Sequence, residues 1–302
     1  MNKGVKKEGR VFFQGAGCRL SAVDYGNPEA QGMVILHGMR DHGLSMQTIA
    51  LAFPEYHVIT VDLRGHGDSD NPGSYTMTQF VADLRALMDH FRLVRPILIG
   101  HSLGGHIVTK YAAIYPEEVD RLIVIDGMGP PQPEETNAMT DHLQHWREHV
   151  ADALQPRREP RSMEDEEEAL QRLTRNNPKL KLETARFITW HGVQPHAGGG
   201  VCWKWDSKAD MIWSTFSHEE TEQFYSLIEC PVQIITGEYS YQYWVKTRAW
   251  LTGKEDLYER ELERRQRLFQ LAEHTVIEGA GHMIHYDRPG QLNAAIRGFL
   301  QA

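Results

Sequence analysis

Short apolar runs alternate with amphipathic stretches from the start of the chain to about residue 126. Met33–Leu36, Val58–Val61, Ile97–Ile99 and Leu122–Ile125 are bounded by Gly, Pro or Asp and rich in β-branched residues, the pattern of buried strands. Between the second and third, Thr78–Arg92 places Phe80, Leu84, Leu87, Met88 and Phe91 on one helical face, a stripe that reads as core packing. Ser102–Tyr115 reads as a second helix, stopped at Pro116. Strands alternating with helices predict βαβ units and a mostly parallel sheet.

The pattern changes after Asp126. Gly127–Glu135 is rich in Pro and Gly and reads as a loop leaving the sheet. Residues 136–228 are polar and helical in places, with Trp146, Trp190, Trp203, Trp205 and Trp213 among them. The run Glu164–Glu168 reads as a solvated helix face. The strand pattern returns at Val232–Thr236 and Thr275–Ile277, and Arg288–Leu300 closes the chain as a helix. The expected fold is therefore α/β, a mostly parallel central sheet flanked by helices. A core of residues 1–128 and 229–302 is interrupted by an insertion at 129–228.

Composition excludes several classes. With 302 residues, the chain can bury about 75% of its unfolded surface without staples. Hydrophobic residues at 41% and charged residues at 24% are ordinary for a globular domain, not for a disordered or fibrous chain. A net charge of −9 with no basic tract disfavours nucleic acid and anionic membranes as partners. Cys18, Cys202 and Cys230 are far apart and form no CxxC. No apolar run reaches the ~18–20 residues of a membrane span. The basic N-terminal residues lack the apolar segment of a secretory signal, so the expectation is a cytoplasmic protein.

The strongest chemical signal is Gly100-His101-Ser102-Leu103-Gly104-Gly105, which follows a strand and opens a helix. That is the context of a G-x-S-x-G nucleophile elbow. Such a turn is strained, and only very small residues fit two positions either side of the serine. It projects Ser102 above the carboxyl ends of the strands, at a helix N-terminus that favours negative charge.

On these residues the sequence resembles the α/β-hydrolase superfamily, over essentially its whole length. Three further blocks match in order: Leu36-His37-Gly38-Met39, similar to the oxyanion loop; Asp62-Leu63-Arg64-Gly65-His66-Gly67-Asp68-Ser69, similar to the D-x-R-G-x-G-x-S loop; and Gly279-Ala280-Gly281-His282-Met283, similar to the loop of the catalytic histidine. The insertion then resembles a helical cap. A serine hydroxyl needs an adjacent base, and the resemblance makes that base His282. Other histidines are plausible on chemistry alone; His37 reads as ordering the oxyanion loop and His285 as structural, while His101, on the neighbouring position of the turn, points elsewhere. The resemblance assigns the oxyanion donors to the backbone N–H groups of Met39 and Leu103.

The acid departs from the pattern. The superfamily usually places it after the strand that follows the cap, where this chain reads Gly237-Glu238-Tyr239-Ser240-Tyr241. Asp126, at the end of an earlier strand, is the favoured candidate. Glu238 is the alternative, and an acid beyond Tyr241, such as Glu255 or Asp256, stays open. His196–Asp206 resembles a Gly-Gly-x-x-Trp-x-x-Asp segment of capped hydrolases; Trp203, Trp205 and His37 are candidate lining of a substrate pocket or simply core. His145-Trp146-Arg147-Glu148-His149, with His142, fits the H-x-x-E-H zinc pattern, but a histidine-rich polar helix is the blander reading.

The resulting expectation is a serine hydrolase of small-molecule carboxylic esters that works through an acyl-enzyme and needs no metal or organic cofactor. The same triad also serves lactone and C–C bond hydrolysis and perhydrolysis, and the fold hosts non-catalytic receptors. Dehalogenases and epoxide hydrolases are disfavoured, because they carry Asp where Ser102 stands.

Overall fold

The computed structural model describes residues 9–129, 131–132, 138–155 and 160–302, without the side chains at 138–142, 145, 214 and 215. The basic N-terminal residues 1–8, part of the 127–135 loop, and the side chains of His142 and His145 lie outside that set.

The strands are β1 (Gly9–Gln14), β2 (Arg19–Asp24), β3 (Gly32–Leu36), β4 (His57–Asp62), β5 (Ile97–His101), β6 (Arg121–Ile125), β7 (Val193–Pro195), β8 (Val201–Trp203), β9 (Val232–Gly237) and β10 (Ala272–Ile277). Eight of them form one sheet in the order β1-β2-β4-β3-β5-β6-β9-β10. From β4 to β10 every pair is parallel, and β1 and β2 join antiparallel at one edge. The fold is that of an α/β hydrolase.

The helices are α1 (Gln47–Ala50), α2 (Met77–Phe91), α3 (Leu103–Ile114), α4 (Ala138–Leu154), α5 (Glu166–Asn176), α6 (Leu182–Gly192), α7 (His218–Ser226), α8 (Ser240–Thr247), α9 (Glu255–Gln266), α10 (Ile284–Asp287) and α11 (Pro289–Gln301). The period-2 alternation of the strands sorts them into two cores. Val34, Leu36, Leu98 and Val124 face Phe80 and Leu84 of α2 and Ile107 and Tyr111 of α3. Met33, Ile35, Ile97, Ile99, Ile123 and Ile125 face Leu292 and Ile296 of α11 and Ile49 of α1. Helix α2 starts on a capping box, in which Thr76 Oγ1 accepts from Gln79 N–H and Gln79 Oε1 accepts from Thr76 N–H.

Between β6 and β9 the chain runs through α4 to α7 and the β7–β8 hairpin. This segment is tied to the D-x-R-G-x-G-x-S loop at several points. Gly67 N–H donates to Lys204 O at 2.8 Å, Asp206 N–H donates to Gly65 O at 2.8 Å, and the Tyr75 hydroxyl donates to the buried Asp206 carboxylate at 2.6 Å. The acidic run is the start of α5: Asp165 accepts from Glu168 N–H, and Glu166–Glu168 fill the first turn, where the helix dipole favours anions. Among the described residues, no helix is long and apolar enough to cross a membrane.

Candidate active site

Three strand ends build the site. Ser102 follows β5 and Asp126 follows β6, and their backbone N–H groups continue the sheet ladder, Ser102 to Ile125 O at 2.9 Å and Asp126 to Ile235 O at 2.7 Å. Both then turn out of the sheet in the left-handed region, with φ of 51° at Ser102 and 46° at Asp126. Non-glycine residues rarely adopt this conformation, and it concentrates at functional sites. His282 arrives from the loop after β10.

These three side chains meet. Asp126 Oδ2 lies 2.6 Å from His282 Nδ1, and His282 Nε2 lies 3.1 Å from Ser102 Oγ. The carboxylate accepts, so Nδ1 carries the proton and Nε2 presents a lone pair to the serine hydroxyl. Asp126 and His282 are buried and Ser102 is half-buried.

The elbow depends on its glycines. A Cβ on Gly100 would lie 2.3 Å from Gly104 O, and one on Gly104 would lie 2.5 Å from Leu36 O. Gly38 lets the following loop lie against the elbow, since a Cβ there would come within 2.8 Å of the His101 ring. That loop carries Met39, and Leu103 is the first residue of α3, whose N–H has no intrahelical acceptor. Both candidate oxyanion donors thus come from the backbone next to Ser102.

Glu238 is not brought to the imidazole. It is exposed, and its Oε2 accepts from Gly279 N–H at 2.8 Å. The physical reason is the closeness of β9 to the histidine loop: a Cβ on Gly237 would lie 2.5 Å from Gly281 O and 2.6 Å from Ala280 O. Glu255 and Asp256 open α9 and are exposed.

For two of the pocket candidates the structure favours the structural alternative over pocket lining. His37 is fully buried; Leu63 N–H donates to its Nε2 at 3.0 Å, so its Nδ1–H donates to Gly38 O at 2.6 Å and fixes the turn. Burial holds its pKa below the ordinary value despite the nearby Asp41. Trp203 packs with Met163, Ala169, Val193 and Val201 in a small core of the intervening segment, because β8 turns it inward. Trp205 lies under the Arg40 guanidinium, 5.0 Å from the ring centre. Arg40 follows Met39 and pairs with Asp210 at 2.5 Å, joining the Met39 loop to the segment between β6 and β9.

His101 is buried at the end of β5. It faces the histidine loop, and its Nε2–H donates to the His282 carbonyl at 2.9 Å. Burial and the neighbouring His285 and His282 press its pKa well below the ordinary value, so it stays neutral. His285 sits between His101 and Tyr286, with ring centres 4.6 and 4.3 Å away. Behind it, Asp41 accepts from the Tyr286 hydroxyl at 3.0 Å. Burial raises the Asp41 pKa, but the surrounding histidines outweigh it and hold the carboxyl below its usual range. Tyr243 was not singled out by its sequence, yet its ring stacks on His282, with centres 3.8 Å apart and planes 9° apart. Its only signal is position, one helical turn after Ser240 on the helix that follows β9.

A strained serine at a helix start, joined to a histidine and a buried carboxylate, defines a class before any relative is considered. The sequence profile of the alpha/beta hydrolase fold matches residues 33–289, and the chain belongs to the α/β-hydrolase family. A serine hydrolase-like protein of Danio rerio is 27% identical over 185 residues, 59% of this chain and 56% of that protein. Epoxide hydrolase 4 of Mus musculus is 35% identical over 120 residues, 38% of this chain and 33% of that protein. The matches thus span from a third to somewhat over half of these relatives. Among solved structures, a thioesterase domain from the curacin biosynthetic pathway superposes with a TM-score of 0.80 at 21% identity, covering 98% of this chain and 100% of that one, a likeness of fold.

Proposed function

We propose that this protein hydrolyses small-molecule carboxylic esters through an acyl-enzyme, with Ser102 as nucleophile, His282 as base and acid, and Asp126 as the orienting carboxylate. The observation that carries the reading is the continuous relay from Asp126 Oδ2 to His282 Nδ1 at 2.6 Å and from His282 Nε2 to Ser102 Oγ at 3.1 Å.

Ser102 Oγ attacks the ester carbonyl as its proton passes to His282 Nε2. The carbonyl oxygen becomes an oxyanion, held by the N–H groups of Met39 and Leu103. Collapse breaks the bond to the alcohol oxygen, which takes the proton from His282. Water then gives a proton to Nε2 and attacks the acyl carbon, and the second collapse returns the proton to Ser102. Asp126 keeps the imidazole in the required tautomer and stabilises the imidazolium formed twice in the cycle. Residues 129–228 act as a cap over this site, anchored through Asp206 and the Arg40–Asp210 pair.

The name carried by the Mus musculus relative belongs to a chemistry that resembling enzymes run with Asp at the elbow, where this chain has Ser102. The relative from Danio rerio, named a serine hydrolase-like protein, agrees with the serine. The test is hydrolysis of p-nitrophenyl esters of graded acyl length by the wild type and by Ser102→Ala. Turnover by the wild type that the alanine variant loses is the expected result; equal turnover by both overturns the reading.

A further inference from the structure

We infer that Tyr243 is a positioning residue for His282, holding the imidazole by its face while Asp126 holds it by its edge. The inference rests on the triad reading above. Three structural observations lead to it. The Tyr243 ring lies parallel to the imidazole, 9° off and 3.8 Å away between centres. The Trp244 ring stands edge-on to the same imidazole at 5.9 Å. The helix that carries both residues is fixed against the histidine loop: Tyr239 N–H donates to Ala280 O at 2.8 Å, and Gly237 N–H donates to the buried Ser240 Oγ at 2.9 Å.

The chemistry explains why such a contact matters here. A histidine's second side-chain torsion is soft, so one hydrogen bond through Nδ1 leaves the ring free to swing about that bond. The Ser102 hydroxyl donates to His282 Nε2 across 3.1 Å, a contact whose alignment depends on the plane of the ring. A parallel aromatic ring opposes that swing, and its face is the electron-rich side that favours the imidazolium formed in each tetrahedral intermediate. With the carboxylate drawn from the end of β6, the residues after β9 are free to run as a helix, and its first turn places Tyr243 over the base. Its ring does this work, since among the described residues the hydroxyl makes no hydrogen bond to the triad.

Tyr243 is 36% exposed, so its replacement leaves the core intact. The experiment compares Tyr243→Leu, a second ringless variant Tyr243→Gln, and Tyr243→Phe with the wild type, each checked by circular dichroism. Two measurements are made: the second-order rate of Ser102 labelling by a fluorophosphonate, with the labelled residue found by mass spectrometry, and the ring-proton resonances of His282, identified by their loss in His282→Gln. Kinetics on p-nitrophenyl acetate accompany them. The ringless variants are expected to label about 10-fold more slowly, with kcat falling and KM unchanged, and to shift the His282 resonances downfield as the ring current is lost. Tyr243→Phe is expected to restore the rate to within about threefold and keep the resonances in place. Wild-type labelling rates in the ringless variants overturn the inference, as does a phenylalanine variant as slow as they are. A rise in KM alone also overturns it, because it marks a substrate contact instead. If the wild type shows the ring-current shift but is not labelled at Ser102, the triad reading has failed and the positioning role falls with it; a labelled Ser102 without the shift means that only the stacking inference has failed.

Discussion

Gly237 at the end of β9 and Gly281 beside His282 stand so close that a Cβ on Gly237 would lie 2.5 Å from the Gly281 carbonyl oxygen. This approach holds the histidine loop against the sheet and closes the end of β9 to a reaching carboxylate. The backbone oxygen is not a flexible neighbour, so an added methyl must move the loop. Gly237→Ala is expected to cost about 1–3 kcal/mol through overpacking. Thermal unfolding reads the stability, and ester turnover at a temperature where the variant is folded reads the displaced His282. A variant with wild-type melting and turnover would show that the loop moves without consequence.

Asp126 and Glu238 make opposite predictions. Asp126 is buried against Nδ1 of His282, whereas Glu238 is exposed and caps Gly279. Asp126→Asn keeps the shape but removes the charge and favours the wrong tautomer, so turnover is expected to fall by up to about 10⁴-fold. Glu238→Gln is expected to stay within about twofold, since a surface hydrogen bond contributes little. Initial rates on one p-nitrophenyl ester, with circular dichroism as a fold check, decide it. The reverse ranking moves the acid to the residues after β9.

Arg64 and Asp83 form a buried pair that sets the base of the D-x-R-G-x-G-x-S loop. Arg64 Nε and Nη2 donate to Asp83 Oδ2 and Oδ1 at 2.6 and 2.7 Å, and Nη2 also donates to Ala16 O at 2.9 Å. Removing one partner strands the other without water. Arg64→Met is expected to destabilise the fold by about 3–5 kcal/mol, while Arg64→Met with Asp83→Leu recovers much of that loss. Urea titration of the wild type and the two variants measures both changes, and a double variant as unstable as the single one would refute the account.

How much of this was visible beforehand depends on whether each element carried its own local signature. The strands β3 to β6 and β9 did, because burial on both faces makes each a mostly apolar run. The edge pair β1 and β2 did not: only Phe13 of β1 is buried, and the pair shows no comparable run. Ser102, Asp126 and His282 were legible as candidates because strand ends, an elbow and a Gly-flanked loop each mark their residue. Tyr243 and His101 were not, since their contacts depend on how α8 and the elbow face a loop 40 to 180 residues away along the chain. Trp203 stayed ambiguous for a related reason: an aromatic in a hairpin reads the same whether it turns toward a pocket or toward its own small core.

Acid should weaken this fold early, through histidines that the native state keeps neutral. Burial, then the neighbouring His37, lowers the His66 pKa to about 3. Burial, then the charges of Lys110 and Arg265, lowers that of His106 to about 3. His218, buried beside Arg265, is lowered to about 4. In the unfolded chain these side chains titrate near the ordinary value of about 6.5. Above that pH both states are neutral and stability does not depend on them. As pH falls from about 6.5 toward 3, the unfolded chain binds protons that the native state refuses, so stability is lost throughout this window. His66 and His106 alone would give a slope approaching about 2.7 kcal/mol per pH unit near its middle. Asp41 and Asp62, both held below the usual carboxylate range, add to the loss below about pH 4, and Asp83, raised by burial, opposes it. Urea unfolding at pH 7.5, 6.5, 5.5 and 4.5 is expected to show a flat region and then a steepening decline below 6.5. His106→Phe, which removes one of these protons and keeps a ring of similar shape among Trp213 and Phe216, should make the decline shallower. An unchanged slope in that variant would mean that His106 is protonated in the native state as readily as in the unfolded one.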